Sequence, residues 1–430
     1  MRYIPPRGFR DFPPEIQILR KRIFSKIEKI FQRYGFDPIE TPVLEYYETF
    51  KGKYGKETEE RLLYRFKDPW SNTWYALRYD LTVPLARFMR NYNGPLPFKR
   101  YHIGRVWRHE RPQRGRYREF WQADADIVGS KNPEADAEVV NLTIDIMKEF
   151  KFTEFSLKLN DRRLLKGIFE VELDIKNPID VFRSIDKVDK IGIDGVREEL
   201  QKKGYATQTI EKIVDIISQS GNPEDTLARL QERYKYNKDV QEATSHLLEM
   251  FDFITEKNAI RLSLDLVRGL DYYTGPIWEV IVKEPKIGSL GGGGRYDELI
   301  GIYTGRQLPA TGTSIGVERL IDAGIALGIF PVRKETYTQV YVLVMEKSLL
   351  QYGFDIVMRL RNVGINAQID LMRRKEKAQR EYANKKNIPV VVFIGKKEFK
   401  AKEVTIYDRR TNKRITEKQE RLADILKELL

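Results

Sequence analysis

Tyr101 to Gln122 read YHIGRVWRHERPQRGRYREFWQ, and the fold turns on how this stretch folds. Six arginines fall between positions 105 and 118, separated by aromatics, a proline and a glycine rather than run together. The return half, continued through ADADIVG, alternates strictly. Trp121, Ala123, Ala125 and Ile127 fall on one side of a strand, and Phe120, Gln122, Asp124 and Asp126 on the other. The spacing predicts a long hairpin, with strands over 99–109 and 118–129 and RPQRGRY as its loop. One face belongs to a core. The other carries polar groups, and Arg108 and Glu110 make a similar i, i+2 pair on the outgoing strand. Arginine suits a phosphate, because its planar fork gives bidentate charge-assisted hydrogen bonds, and a glutamate can accept from an exocyclic amine. The blander reading of the same residues is an exposed hairpin with alternating charges.

Working outward, residues 14–34 place apolar side chains at 16, 19, 23, 27, 30 and 34, a helical stripe stopped by Gly35. LLYRFKD and WYALRYD predict a strand pair around an SNT turn. Residues 133–151 predict a helix and FSLKLNDR a short strand. Residues 165–258 read as an inserted helical module. Strand signals resume at IRLSLDLVRGLDYYTGPIWEVIV, and TGTSIGVERLIDAGIALG reads as a strand entering a helix. A linker over 330–337 leads to QVYVLV, INAQIDL and VVVFI, strands separated by helical stretches, hence a small separate α/β domain over 338–430. The domains expected are therefore 1–164 with 259–329, the insertion 165–258, the linker, and 338–430.

Composition narrows the chemistry. The 430 residues include no cysteine and only three histidines, His102, His109 and His246. Disulfides, thiolate metal sites and cysteine nucleophiles are excluded. The Gly312–Gly316 stretch fits a G-x-S-x-G pattern, but a serine nucleophile needs a histidine base and few exist. No phosphate-binding glycine loop ends in Lys-Ser or Lys-Thr. The net charge of +13 favours a polyanionic partner. Residues 336–430 carry 21 Lys and Arg against 12 Asp and Glu, so most of the excess lies there. No apolar run reaches membrane-span length, and a cytoplasmic protein with no membrane association is expected. Gly291 to Gly294 reads either as a flexible turn or as backbone that a ligand approaches closely. Arg268, in an otherwise apolar and aromatic stretch, must be paired or face a cleft.

These motifs, in this order, resemble the class II aminoacyl-tRNA synthetases, and among them the histidyl-tRNA synthetase family in its archaeal and eukaryotic form. The helix plus TPVLE is similar to the first class II motif, Trp107-Arg108-His109-Glu110 to the second, and Thr313 to Arg319 to the third, with Thr313 where a glycine is usual. LRYDLT (77–82), RYREFWQADADIVG (116–129), LVRGLDYYTG (266–275) and GGGRYDEL (292–299) resemble the histidine-specific signatures. The resemblance covers essentially the whole chain. It implies an α+β fold: a class II antiparallel sheet flanked by helices, a helical insertion, and a C-terminal α/β anticodon-binding domain.

The resemblance also implies chemistry. Histidine and ATP would give histidyl-adenylate and pyrophosphate, and the histidyl group would pass to the 3′ end of tRNA(His), with Mg2+ as cofactor and a homodimer as the assembly. Asp80, Thr82 and Gln122 would hold the α-amino group and its surroundings. Asp126 and Tyr273, with Tyr272 nearby, would read the imidazole. Arg108 would bind the α-phosphate, Glu110 the adenine and Arg319 the far phosphates. Arg268 would reach the α-phosphate from the opposite side, which makes Arg108 and Arg268 the catalytic pair. Arg111, Arg114 and Arg116 would meet the tRNA. The competing reading is a histidine-binding regulatory subunit of ATP phosphoribosyltransferase. Such proteins typically lack the anticodon-binding domain and depart from the catalytic arginine pattern.

Overall fold

The computed structural model describes residues 3–54, 58–219, 221–267 and 272–430. The chain forms two compact units, one of residues 1–11 and 23–330, the other of residues 12–22 and 331–430. The first helix, Pro14–Arg33, runs through both groupings, and its Ile27, Ile30 and Phe31 are fully buried.

The strands of the first unit are β1 (Asp37–Pro38), β2 (Leu44–Tyr46), β3 (Arg65–Lys67), β4 (Trp74–Leu77), β5 (Phe98–Trp107), β6 (Glu119–Val128), β7 (Phe155–Asp161), β8 (Ile260–Leu262), β9 (Pro276–Val282), β10 (Gly291–Arg295) and β11 (Ala310–Gly316). Eight of them make one sheet in the order β1-β5-β6-β11-β10-β9-β7-β8. Its pairs are antiparallel except for parallel edge strands β1 on β5 and β8 on β7. Strands β2, β4 and β3 form a small separate sheet.

The β5–β6 hairpin lies between edge strand β1 and β11, in the register that puts Arg100 opposite Asp126, His102 opposite Asp124 and Gly104 opposite Gln122. Ala123 and Ala125 are fully buried and Ile127 nearly so, as the alternation requires. On that same side, Thr143 of the helix Pro133–Glu149 hydrogen-bonds Thr313 of β11 at 3.0 Å. The polar face is buried as well: Gln122, Asp124 and Asp126 are each under a tenth exposed. The loop tip is a tight turn in which Gln113 and Arg116 exchange backbone hydrogen bonds of 3.0 and 2.9 Å. Gly115 takes the left-handed φ of 71° that this turn demands.

The insertion is helical, as its sequence predicts, with helices Pro178–Ile185, Val188–Lys202, Thr207–Ile217, Pro223–Arg233 and Lys238–Asp252 around a core of Leu164, Phe169, Val181, Ile213 and Val240. One buried charge cluster ties it to the sheet. His246 meets Asp136 at 2.7 Å, and Arg295 reaches the same carboxylate oxygen at 2.7 and 3.0 Å.

The second unit holds β12 (Val340–Val344), β13 (Ala367–Ile369), β14 (Val390–Ile394), β15 (Glu403–Asp408) and β16 (Lys413–Lys418), ordered β13-β12-β14-β15-β16. The first three are parallel, as the α/β pattern predicts. The sequence reading found those three and missed the antiparallel hairpin β15–β16. Its outer strand alternates only between exposed and half-buried residues, so it shows no apolar periodicity. No helix among the described residues is long and apolar enough to cross a membrane.

Candidate active site

The sheet register builds the site. Residues directly opposite in antiparallel strands share a face. One face therefore carries three rows: Gly104, Gln122 and Gly316; His102, Asp124, Ser314, Gly292 and Glu279; and Arg100, Asp126, Gly312, Gly294 and Ile277. Glycines stand where side chains would otherwise fill the floor. A Cβ on Gly312 would lie 2.0 Å from Asp126 Oδ1, and one on Gly294 would lie 2.9 Å from the Tyr273 ring. Such glycines admit neighbouring groups of the protein itself at close range.

A cavity of about 270 Å3 lies over this floor, lined by Arg108, Glu110, Arg116, Phe120, Gln122, Tyr273, Glu279, Ser314 and Arg319 among others. The side chains come from the hairpin, from the segment before β9 that holds Tyr273, from β9–β11 and from the helix Val317–Ala326 that follows β11. Arg108 is held by its Nε–H, which donates to the Tyr79 carbonyl at 3.1 Å, and its guanidinium lies 4.4 Å from the Tyr79 ring centre and 5.2 Å from that of Phe120. Arg319 donates to the carbonyls of Gly115 at 2.7 Å and Ser289 at 2.8 Å. Burial first, then the Arg116 and Arg108 charges, lower the Arg319 pKa. Three arginines thus face one cavity at a cost in mutual repulsion, an arrangement suited to an anion of several charges. Glu110 pairs with Arg116 at 3.0 Å, and Arg118 holds the Glu110 carbonyl at 3.0 Å.

The opposite part of the site is polar and buried. Arg100 and Asp126 form an ion pair of 2.7 Å with both side chains almost wholly buried. The Tyr296 hydroxyl donates to the other Asp126 oxygen. Asp80 is buried too: Tyr54 donates to it at 2.9 Å, and the Thr82 and Val83 amides, the first of the helix Thr82–Phe88, at 3.2 and 3.0 Å. Burial raises the Asp80 and Asp126 pKa values. Burial, with the neighbouring Arg100 and Arg78 charges, pushes His102 down to about 3 and keeps it neutral. Asp124 is pushed up to about 7, mainly by burial. The Gln122 Nε2–H donates to Ser314 Oγ, and the buried Gln122 Oε1 has no hydrogen-bond partner in the protein.

Of the residues singled out from sequence, Arg108, Glu110, Arg116, Gln122, Tyr273 and Arg319 line this cavity. Asp80, Thr82 and Asp126 do not line it; they are buried against its polar part. Tyr272 packs on Tyr273 with ring centres 5.1 Å apart and lines a neighbouring cavity of about 490 Å3, which Tyr273 also borders. Arg111 and Arg114 are exposed at the hairpin tip. Arg268 lies outside the described residues. Sequence reasoning assigned no role to Asp124, Ser314 or Arg100. Asp124 carried a signal, since it alternates with Gln122 and Asp126. Arg100 and Ser314 carried none, because only strand pairing brings them to this face. Among the described residues no group of three or more His, Asp or Glu could hold a metal ion by itself.

Comparison with known proteins gives this geometry a context. The histidyl-tRNA synthetase family model matches residues 8–320, and an anticodon-binding domain model matches residues 339–429. The histidine–tRNA ligase of Aeropyrum pernix is 53% identical over 412 residues, covering 96% of this chain and 94% of that protein. That of Korarchaeum cryptofilum is 54% identical over 429 residues, covering 99% and 98%. The crystal structure of histidyl-tRNA synthetase from Nostoc sp. PCC 7120 superposes with a TM-score of 0.84 at 28% identity, covering the whole of both chains. With the sheet, the glycine floor and the arginine-lined cavity all in place, the chain belongs to the histidyl-tRNA synthetase family.

Proposed function

We propose that this cavity joins histidine to ATP and that the chain then passes the histidyl group to the 3′ end of tRNA(His). The observation that carries the reading is the pairing, on one glycine-floored face, of three cavity-lining arginines with the unpartnered carbonyl of Gln122. The arginines suit a triphosphate, and Gln122 Oε1 suits a cationic N–H donor such as an α-ammonium group. The histidine carboxylate attacks the α-phosphorus in line and pyrophosphate leaves. In the second step a hydroxyl of the terminal tRNA ribose attacks the acyl carbon and AMP leaves. Neither step needs a protein nucleophile, which agrees with a chain that has no cysteine and few histidines. Catalysis is positioning plus stabilisation of charge on phosphate oxygens.

In this reading Arg108 binds the α-phosphate, Arg319 the far phosphates and Glu110 the adenine, with Arg268 a second catalytic arginine. Asp80 and Thr82 support Gln122 around the α-amino group. Asp126, Tyr273 and Tyr272 form the imidazole end. Asp126 acts from behind the cavity wall, its oxygens engaged by Arg100 and Tyr296. Mg2+ fits as an ion that enters with ATP, because magnesium keeps most of its water and binds through phosphates and one or two carboxylates. Glu279 lines the cavity and would be the carboxylate that holds it, and the ion would neutralise phosphate charge. Exposed Arg111 and Arg114 meet the tRNA backbone, and a homodimer is the working assembly.

The test is amino-acid-dependent ATP–pyrophosphate exchange with all twenty amino acids. Exchange with histidine alone supports the reading. Histidine binding without exchange would replace it with a regulatory subunit on the same fold.

A further inference from the structure

We infer that Tyr117 and Asp322 form a latch that seats the tip of the hairpin loop at the arginine-lined cavity, which makes them positioning residues for the nucleotide. The inference rests on the cavity taking ATP. The Tyr117 hydroxyl donates to Asp322 Oδ2 at 2.6 Å, across 205 residues of chain. Asp322 lies on the helix Val317–Ala326, three residues after Arg319, so the two are neighbours on one helix surface. Arg319 Nε–H donates to the Gly115 carbonyl at 2.7 Å. The helix therefore grips the loop at Gly115 and at Tyr117, on either side of Arg116. Arg116 is one of the cavity cations, and Gly115, Tyr117 and Arg319 line the same cavity. A Cβ on Gly115 would lie 2.3 Å from Ile287 Cγ1, so the tip is also seated closely against the segment before β10.

The N-terminal segment backs the latch. The Arg10 guanidinium lies 3.4 Å from the Tyr117 ring centre and 4.0 Å from Asp322 Oδ1. The Gly8 carbonyl accepts from the Arg118 amide at 2.9 Å. Burial first, then the Asp322 hydrogen bond and charge, push the Tyr117 pKa up to about 12, so the hydroxyl keeps its proton to donate. The latch has a force to resist. After burial, the Arg116 and Arg108 charges act most strongly on Arg319, and each outweighs the attraction of Glu110. Arg116 rides on the loop, so without an anion this repulsion pushes the tip away from the helix. A tip already held in place spares ATP the cost of ordering it.

Asp322 is not among the residues that line the cavity, so apart from its charge it reaches a nucleotide only through the loop. The charge has the opposite sign of effect: removing a carboxylate near a phosphate site should lower the ATP KM. The test is ATP–pyrophosphate exchange by the full chain, with ATP and histidine varied separately. The variants are Tyr117→Phe, Asp322→Ala, Asp322→Asn, and Tyr117→Phe combined with Asp322→Ala. The latch predicts that Tyr117→Phe and Asp322→Ala each raise the ATP KM about tenfold, the worth of a hydrogen bond to a charged group, with the histidine KM within about twofold. Asp322→Asn keeps an accepting oxygen and should recover part of the loss. The combined variant should be no worse than the worse single one, because both cut the same bond. Without nucleotide, trypsin should cut faster after Arg114, exposed at the loop tip, in Tyr117→Phe and Asp322→Ala than in the wild type. Tyr117→Phe removes one oxygen and keeps the ring, so it tests the latch even where Asp322→Ala is unstable. An unchanged or lowered ATP KM, equal rises for both substrates, multiplying effects, or unchanged cleavage after Arg114 would each overturn the latch. A wild-type chain with no histidine-dependent exchange would instead overturn the reading of the cavity, and the cleavage rates would still decide the latch.

Discussion

Asp136 is the buried carboxylate on which the helical insertion and the sheet meet, and removing its charge should cost more than any single surface change. It is 0% exposed, and the Arg295 side chain that meets it is 2% exposed. Arg295 reaches it through Nε at 3.0 Å and Nη2 at 2.7 Å, and His246 of the insertion at 2.7 Å. Although burial opposes ionisation, the hydrogen bond from His246 and the Arg295 charge hold the Asp136 pKa below the ordinary aspartate range. Breaking a buried pair from one side strands the other charge, at about 3–5 kcal/mol. Arg295 would keep Asp297 at 3.1 Å and the Ser130 and Asn132 carbonyls at 2.9 and 3.3 Å, so the lower end applies. Asp136→Asn should therefore lower the unfolding free energy by roughly 3 kcal/mol. All five tryptophans, at 70, 74, 107, 121 and 278, lie in the first unit, so a urea transition followed by tryptophan fluorescence reports that unit alone. Amides of the helix Lys238–Asp252 should also exchange faster, since its His246 tether is loosened. Replacing both partners, Asp136→Leu with Arg295→Met, should cost less than Asp136→Leu alone, because no charge is left stranded. A loss below about 1 kcal/mol for Asp136→Asn, or a double variant worse than the sum of its parts, would refute the account.

Three further outcomes follow from the site. Arg108→Ala should slow histidine-dependent pyrophosphate exchange by about 10²–10³, and Arg108→Lys should restore only part of it, since a lysine keeps the charge and loses the fork; equal activity of the two variants would show that charge alone suffices. Gly312→Ala puts a Cβ 2.0 Å from Asp126 Oδ1, so Asp126 must leave Arg100 and Tyr296. The histidine KM should rise about tenfold or more, with a loss of about 1–3 kcal/mol in stability; a neutral variant would show that the floor yields freely. Asp124→Asn should stabilise the fold. The folded state holds the Asp124 proton more tightly than the unfolded chain does, so the stability tied to this group is full below the ordinary aspartate range and fades as pH rises through about 7. The forfeited stability is of the order of 4 kcal/mol by pH 8. The gain in melting temperature of the variant should therefore be larger at pH 8 than at pH 6, and an equal gain at both would refute the shift.

Much of this molecule was legible in the chain itself. Strict alternation in FWQADADIV fixed a strand and its two faces, because side chains on a strand have period two whatever they pack against. The apolar stripe of residues 14–34 and the helical insertion were legible for the same local reason at period 3.6. The signatures around Arg108, Gln122, Tyr273 and Arg319 singled out residues that line the cavity, while Asp80, Thr82 and Asp126, singled out in the same way, do not line it. What periodicity cannot give is pairing. The outer strand Lys413–Lys418 has no buried face to leave a pattern, so it went unseen until its ladder to Glu403–Asp408 appeared.

The tertiary structure alone decided how the polar groups divide their work. Read along the strand, Gln122, Asp124 and Asp126 are three equivalent polar positions. Register separates them: Gln122 meets Gly316 and reaches the cavity, Asp124 meets Ser314 and His102, and Asp126 meets Gly312 and is captured by Arg100. In the same way six clustered arginines become two that line the cavity, Arg108 and Arg116, two bound to other partners, Arg105 and Arg118, and two exposed at the hairpin tip, Arg111 and Arg114, only after the hairpin closes. Sequence determines which face a side chain takes, because that is a property of the local backbone. Which oxygen is satisfied and which is left for a ligand depends on the strand next door, and that strand is set by contacts nearly 200 residues away.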